Sequence, residues 1–230
     1  MPYTDDDRWN DWVERIHSAY ADVVNLHHVR YVWKNLIKML EEVEGVEHHS
    51  LINNWLTYTY STSLAVGIRR QSDQGKLSDR PLTLSCVLSE MVKYPTVVTA
   101  ERYLASIDET NQARCRAWYE SAVAIDAIGP NQAAHDLHAL GAASEGVRKY
   151  VNKHLAHKDS KVDQDSLSMS FADLDRALDE LARVLRDYYQ LLTGKYILHF
   201  TPMAGLGWPQ MFATPWLPSG FTPLDEQSLG

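Results

Sequence analysis

The chain has 230 residues, 45% of them apolar and 23% charged, which excludes wholesale disorder and gives enough apolar material for one self-sufficient core. The formal net charge is −8, from 22 Lys+Arg against 30 Asp+Glu, which excludes a protein that coats nucleic acid by bulk charge but leaves room for a local basic site.

The pattern along the chain is helical. Thr4 precedes an acidic first turn, Asp5, Asp6 and Asp7, suited to the positive end of a helix dipole. Trp9, Trp12, Ile16, Tyr20 and Val23 then form an apolar stripe, and Val32, Leu36, Met39 and Val43 form a second one running to Gly45. The two stripes predict either one long helix or two joined near His27 and His28. Ile52, Trp55, Leu56, Leu64 and Ile68 fit a helix over 50–70, although TYTYSTS (57–63) carries strand-preferring residues. A polar loop, QSDQGKLSDRP (71–81), precedes helices expected at about 83–93, 96–107 and 110–126. IGPN (128–131) is a break, followed by a helix from about 131 to 157 and a polar loop over 158–166. Leu174, Leu178, Leu181, Leu185, Tyr188 and Leu192 lie on one face of a helix over 170–193. Ser170 and Asp173 form its capping box, and Gly194 stands at its C′ position. Five of the nine prolines and two of the seven tryptophans fall after residue 198, which rules out regular helix there and favours a docking segment. The expectation is an all-α antiparallel bundle over 1–195 and an irregular Pro/Trp-rich tail over 196–230.

Cys86 and Cys115 have no C-x-x-C neighbourhood and read as reduced thiols of an intracellular protein, Cys86 as a core residue. The acidic N-terminus is no signal peptide, and no apolar run approaches the roughly 18–20 residues needed to span a bilayer, so cytoplasm is the expected compartment. The histidines do not compose a metal site. His27-His28 and His48-His49 are adjacent pairs that chelate poorly, His135 and His138 stand at i, i+3, and Glu14 with His17 is a single Glu-x-x-His without a second. No metal or other cofactor is expected. GLGW (205–208) lacks the lysine and the helix of a phosphate loop. A small-molecule site using Trp55, Tyr58 or the His135–His138 face is a weaker reading, since aromatic stripes at helical spacing usually form core.

The informative segment is SEGVRKYVNKHLAHKDSK (144–161). From 148 to 161, Arg148, Lys149, Lys153, Lys158 and Lys161 stand against Asp159 alone, a local +4 that leaves −12 for the rest of the chain. His154 and His157 lie within it. RNA can be cleaved without metal when a base takes the 2′-hydroxyl proton and cations stabilise the phosphorane; histidine titrates in the required range and arginine holds phosphate bidentately. A solvated basic helix end is the plain alternative.

RKYVNKHLAHKD (148–159) resembles the signature helix of the HEPN superfamily, whose ribonucleases carry Arg, four to six residues, then His. LAVGIRRQSDQGKLSDRPLTLSCVLSEM (64–91) resembles the Arg-Arg…Asp…Leu-rich region of the AbiU-type, abortive-infection branch, and DLDRALDELARVLRDYYQLL (173–192) resembles the helix that follows the motif. Together these segments cover roughly residues 5–195. The resemblance implies a HEPN bundle with extra N-terminal helices and a metal-independent endoribonuclease or RNA-binding effector in phage defence or a toxin–antitoxin system. It further implies a homodimer whose motif helices meet in one cleft, with RNA and an antitoxin or defence protein as partners. Arg148, Asn152, His154 and His157 are the implied catalytic residues. Lys149, Lys153, Lys158, Arg69 and Arg70 are the implied phosphate contacts, Arg69 and Arg70 having a rival reading as ion pairs with Asp73 and Asp79. Alignment on Ala156-His157 places Val151 where the motif arginine stands in many members; alignment on Arg148 makes His154 the catalytic histidine. The alternative function is a catalytically inactive dimerisation or partner-binding module.

Overall fold

The computed structural model describes residues 3–42, 51–73, 82–124, 128–156 and 169–200, and all the regular structure in them is helical. The elements are α1 (Asp5–Glu42), α2 (Leu51–Ser72), α3 (Leu84–Lys93), a 3₁₀ turn (Pro95–Val97), α4 (Ala100–Ala105), α5 (Glu109–Ala124), α6 (Pro130–Ala143), α7 (Glu145–Tyr150), a π-helical turn (Val151–Ala156) and α8 (Phe171–Thr193). The all-α expectation is met, and the strand-preferring residues 57–63 lie within α2.

The bundle is organised around α8. Its capping box forms as the sequence indicates: the Ser170 hydroxyl accepts from the Asp173 N–H at 3.2 Å, and the Asp173 carboxylate accepts from the Ser170 N–H at 3.0 Å. Gly194 ends the helix with φ 69°, the left-handed conformation that costs glycine least, and a Cβ there would come within 2.7 Å of Ile107. Leu174, Leu178, Leu181, Leu185, Tyr188 and Leu192 are all buried. Each leucine so buried contributes about 1.5–3 kcal/mol of apolar transfer free energy. α1, α2 and α6 all pack against α8, while α3 packs on α6.

The two N-terminal stripes form one helix of 38 residues. No Gly or Pro interrupts 5–42, and α1 packs along α8, so nothing breaks the hydrogen-bond ladder at His27 and His28. The first stripe is core: Trp9, Trp12, Ile16 and Val23 are buried. The second is not: Val32 is 42% exposed, Leu36 and Met39 are only half-buried, and Val43 lies outside the described residues.

Two polar networks, neither indicated by sequence spacing, tie helices together. Between α1 and α3, Trp12 Nε1 donates to Glu90 at 2.7 Å, and the fully buried Arg15 donates to Cys86 Sγ at 2.9 Å and lies 2.7 Å from Asp11. Burial pushes the Cys86 thiol up from its ordinary value, against the pull of Arg15, so it stays protonated. Between α6 and α8, the buried Asp136 carboxylate accepts from Arg183 at 2.5 Å and from the Tyr188 hydroxyl at 3.1 Å.

The segment expected as one helix over 131–157 is articulated. Gly129 at φ 127° and Pro130 at the first helical position start α6. At Ser144 the helix turns without losing its ladder: the Ser144 N–H donates to the Leu140 carbonyl and its own carbonyl accepts from the Arg148 N–H. The buried Ser144 hydroxyl also donates to the Leu140 carbonyl at 2.6 Å, a back-bond of the kind that bends helices. The helix expected over 96–107 is likewise shortened. Pro95 starts a 3₁₀ turn, and Thr99 caps α4 by accepting from the Arg102 N–H at 3.2 Å.

Candidate RNA-binding groove on the motif helix

The +4 segment begins on α7 and continues into the π-helical turn. Arg148, Lys149 and Asn152 line an open groove of about 500 Å³ with Leu137, His138, Gly141 and Ala142 of α6 and Glu145 of α7. Arg148 and Asn152 are four residues apart and share a helix face, which brings both to this groove. Gly141 and Ala142 present almost no side chain, and this keeps the groove open between α6 and α7.

The two cations of the groove differ. Lys149 Nζ lies 2.6 Å from Glu145 and holds that carboxyl below its ordinary range by hydrogen bonding and charge. The half-buried Arg148 guanidinium makes no hydrogen bond or salt bridge among the described residues. An arginine so placed keeps its planar donors available for a phosphate.

Other residues singled out by sequence fall elsewhere. Lys153 is exposed on the π turn and does not line the groove. The His154 backbone belongs to that turn; its side chain, His157 and Lys158 lie outside the described residues. Arg69 and Arg70 occupy the last turn of α2, which packs against α7 and the π turn, yet neither lines the groove. Arg69 lies 3.6 Å from Asp73, as the ion-pair reading expects, and Arg70 lies 3.4 Å from Asp22 of α1. Asp79 lies outside the described residues. Val151, the position that alignment on Ala156-His157 would give to the motif arginine, is 3% exposed and belongs to the core.

The π turn itself was not signalled by the sequence. Its i→i+5 bonding shifts the helical register within the motif, and such turns occur frequently at functional sites. His138 and Glu145 are further groove residues that the motif did not single out; they come from α6 and the start of α7, and only the fold brings them to Arg148. Among the described residues no three His, Cys, Asp or Glu side chains converge as a metal site. His135 is largely exposed and only His138 of that pair reaches the groove.

Residues 6–204 match the model of the AbiU2 family, HEPN_AbiU2. The chain belongs to this family. The match runs from the second residue of α1 through α8, including the motif helix, and it stops before Trp208. Membership points to an abortive-infection-related function. No curated protein and no solved structure matches the chain. Among the described residues no helix is long and apolar enough to cross a membrane.

Proposed function

We propose that this AbiU2 protein acts on RNA, as a metal-independent endoribonuclease or an RNA-binding effector in phage defence or a toxin–antitoxin system. The observation that carries the reading is the Arg148 guanidinium, unpaired among the described residues, lining a groove with Asn152 on the motif helix. Arg148 would hold the scissile phosphate. His157 or His154 would take the 2′-hydroxyl proton, the 2′-oxygen would attack phosphorus, and the 5′-oxygen would leave with a proton. Asn152 would orient the phosphate or the histidine, and Lys149, Lys153 and Lys158 would add positive potential. HEPN domains commonly dimerise. A homodimer would join two +4 segments in one cleft and offset the acidity of the remaining surface. Arg69 and Arg70, paired with carboxylates, support this role least.

The test is cleavage of a mixed-sequence RNA by purified protein in EDTA. Cleavage is expected for the unmodified chain and is expected to be abolished in the His154→Ala/His157→Ala double variant; undiminished cleavage by that variant removes the assignment. One observation favours the second reading, an inactive dimerisation or partner-binding module: the core placement of Val151, where alignment on Ala156-His157 would put the motif arginine. Under that reading the protein binds no RNA at physiological salt and Arg148→Ala changes nothing.

A further inference from the structure

An apolar groove of about 380 Å³ runs between α1 and α2, away from the motif helix and independent of the RNA reading. Its walls are aromatic. Trp33 stacks on Tyr60 with ring centroids 4.7 Å apart and planes within 9°, and Trp55 stands at the rim with 59% of its surface exposed beside the exposed Val32. The remaining lining is Val29, Leu36, Leu56, Thr59, Ser63 and His28, without a carboxylate, lysine or arginine. A tryptophan at this exposure on an apolar groove is costly in water unless something covers it.

The described chain ends against α1 at His27, one residue along the helix from the groove-lining His28. Phe200 is buried and stacks on His27 of α1 with centroids 5.0 Å apart and planes within 21°, and the Arg186 guanidinium lies over its ring. His28, the next residue, already lines the groove. The part of α1 that lines it, His28 to Leu36, is about 12 Å long at 1.5 Å per residue. Thirty residues follow Phe200, and over 201–224 they include no charged residue. They include Trp208-Pro209 and Pro215-Trp216-Leu217-Pro218, a P-x-x-P segment. The fifteen residues from Phe200 to Pro215 reach up to about 50 Å when extended, several times what the groove requires. Prolines pre-set the extended left-handed conformation that aromatic-lined grooves take up at low entropic cost. A tether of this length also gives the segment an effective concentration of roughly millimolar at a site on its own chain.

We propose that the α1–α2 groove is the docking site for the chain's own tail, with Pro215–Pro218 across Trp33, Trp55 and Tyr60. An extended apolar segment from another protein would displace the tail by presenting the same Pro/aromatic chemistry.

The full chain carrying Val32→p-benzoylphenylalanine, irradiated as an equal mixture of ¹⁴N- and ¹⁵N-labelled protein, tests this. The expected product is a cross-link between the residue-32 peptide and a peptide within 201–224, of uniform isotope label. Its yield is expected to fall at least about tenfold when Trp208→Ala and Trp216→Ala are added, the loss that removing one well-placed aromatic contact produces. A cross-link to α1 or α2 of a second copy overturns the proposal in favour of a dimer face. A mixed-label tail cross-link overturns it in favour of exchange between chains. No tail cross-link, or one insensitive to the tryptophan substitutions, overturns it outright.

Discussion

Acidification should loosen the packing of α1 against α8 through one residue, His27. Its ring is 5% exposed, stacked on Phe200, with Nδ1 3.1 Å from Arg30 and Nε2 buried without a partner. Burial first, and then the positive charge of Arg30, hold the imidazole down at about 4 from an ordinary 6.5. The folded state therefore binds the proton less readily than the unfolded chain. The stabilising contribution of neutral His27 is complete above pH 6.5 and is lost as the pH falls from 6.5 towards 4. With these two values, moving from pH 7 to pH 5 removes about 2 kcal/mol of stability through this residue alone. The assay is urea unfolding at both pH values for the unmodified chain and for His27→Gln, which cannot titrate in this range and keeps an acceptor for Arg30. Carboxylates shared by both proteins cancel in the comparison. The unmodified chain should lose about 2 kcal/mol more than the variant. An equal loss in the two proteins would refute the argument, because it would mean that His27 protonates as easily in the fold as out of it.

Further outcomes follow from the packing and the groove. Val151→Arg, which puts an arginine where alignment on Ala156-His157 expects one, should destabilise the fold by about 3 kcal/mol or more and leave RNA cleavage no higher, because the new charge enters the core; unfolding and cleavage measured on the same preparation check both parts. Arg148→Ala should leave urea unfolding within about 0.5 kcal/mol of the unmodified chain while abolishing RNA cleavage or binding, and a matching loss of stability would count against a functional role. Asp136→Ala should cost about 2–3 kcal/mol in the same unfolding assay, because it strips the buried Tyr188 hydroxyl of its acceptor and Arg183 of one partner. Ser170→Ala, which removes the capping box of α8, should cost about 1 kcal/mol.

Much of this protein was written locally. The period of Leu174, Leu178, Leu181, Leu185, Tyr188 and Leu192, with Ser170, Asp173 and Gly194 at the ends, specified α8, because capping and amphipathic period act over a few residues and need no tertiary knowledge. The same holds for the helical class of the chain, the break at Gly129-Pro130, and the three segments (64–91, 148–159 and 173–192) whose order resembles the family to which the chain belongs. Only the tertiary structure decided which side each motif residue takes. Val151 and Arg148 are three residues apart on one helix, yet one is core and the other lines the groove, because α2 and α8 cover one flank of α7 and the small residues Gly141 and Ala142 leave the other open. The break at Ser144, where a buried hydroxyl bonds back to Leu140, and the π turn, which packs against α2, are features that no spacing rule registers. The charge of −8 was legible from the first residue count, but its distribution was not. Arg69, Arg70 and Lys149 lie against carboxylates, two of those partners within four residues and one, Asp22, brought from another helix by folding, while the Arg148 guanidinium makes no hydrogen bond or salt bridge among the described residues, although its charge acts on Glu145 in the same groove.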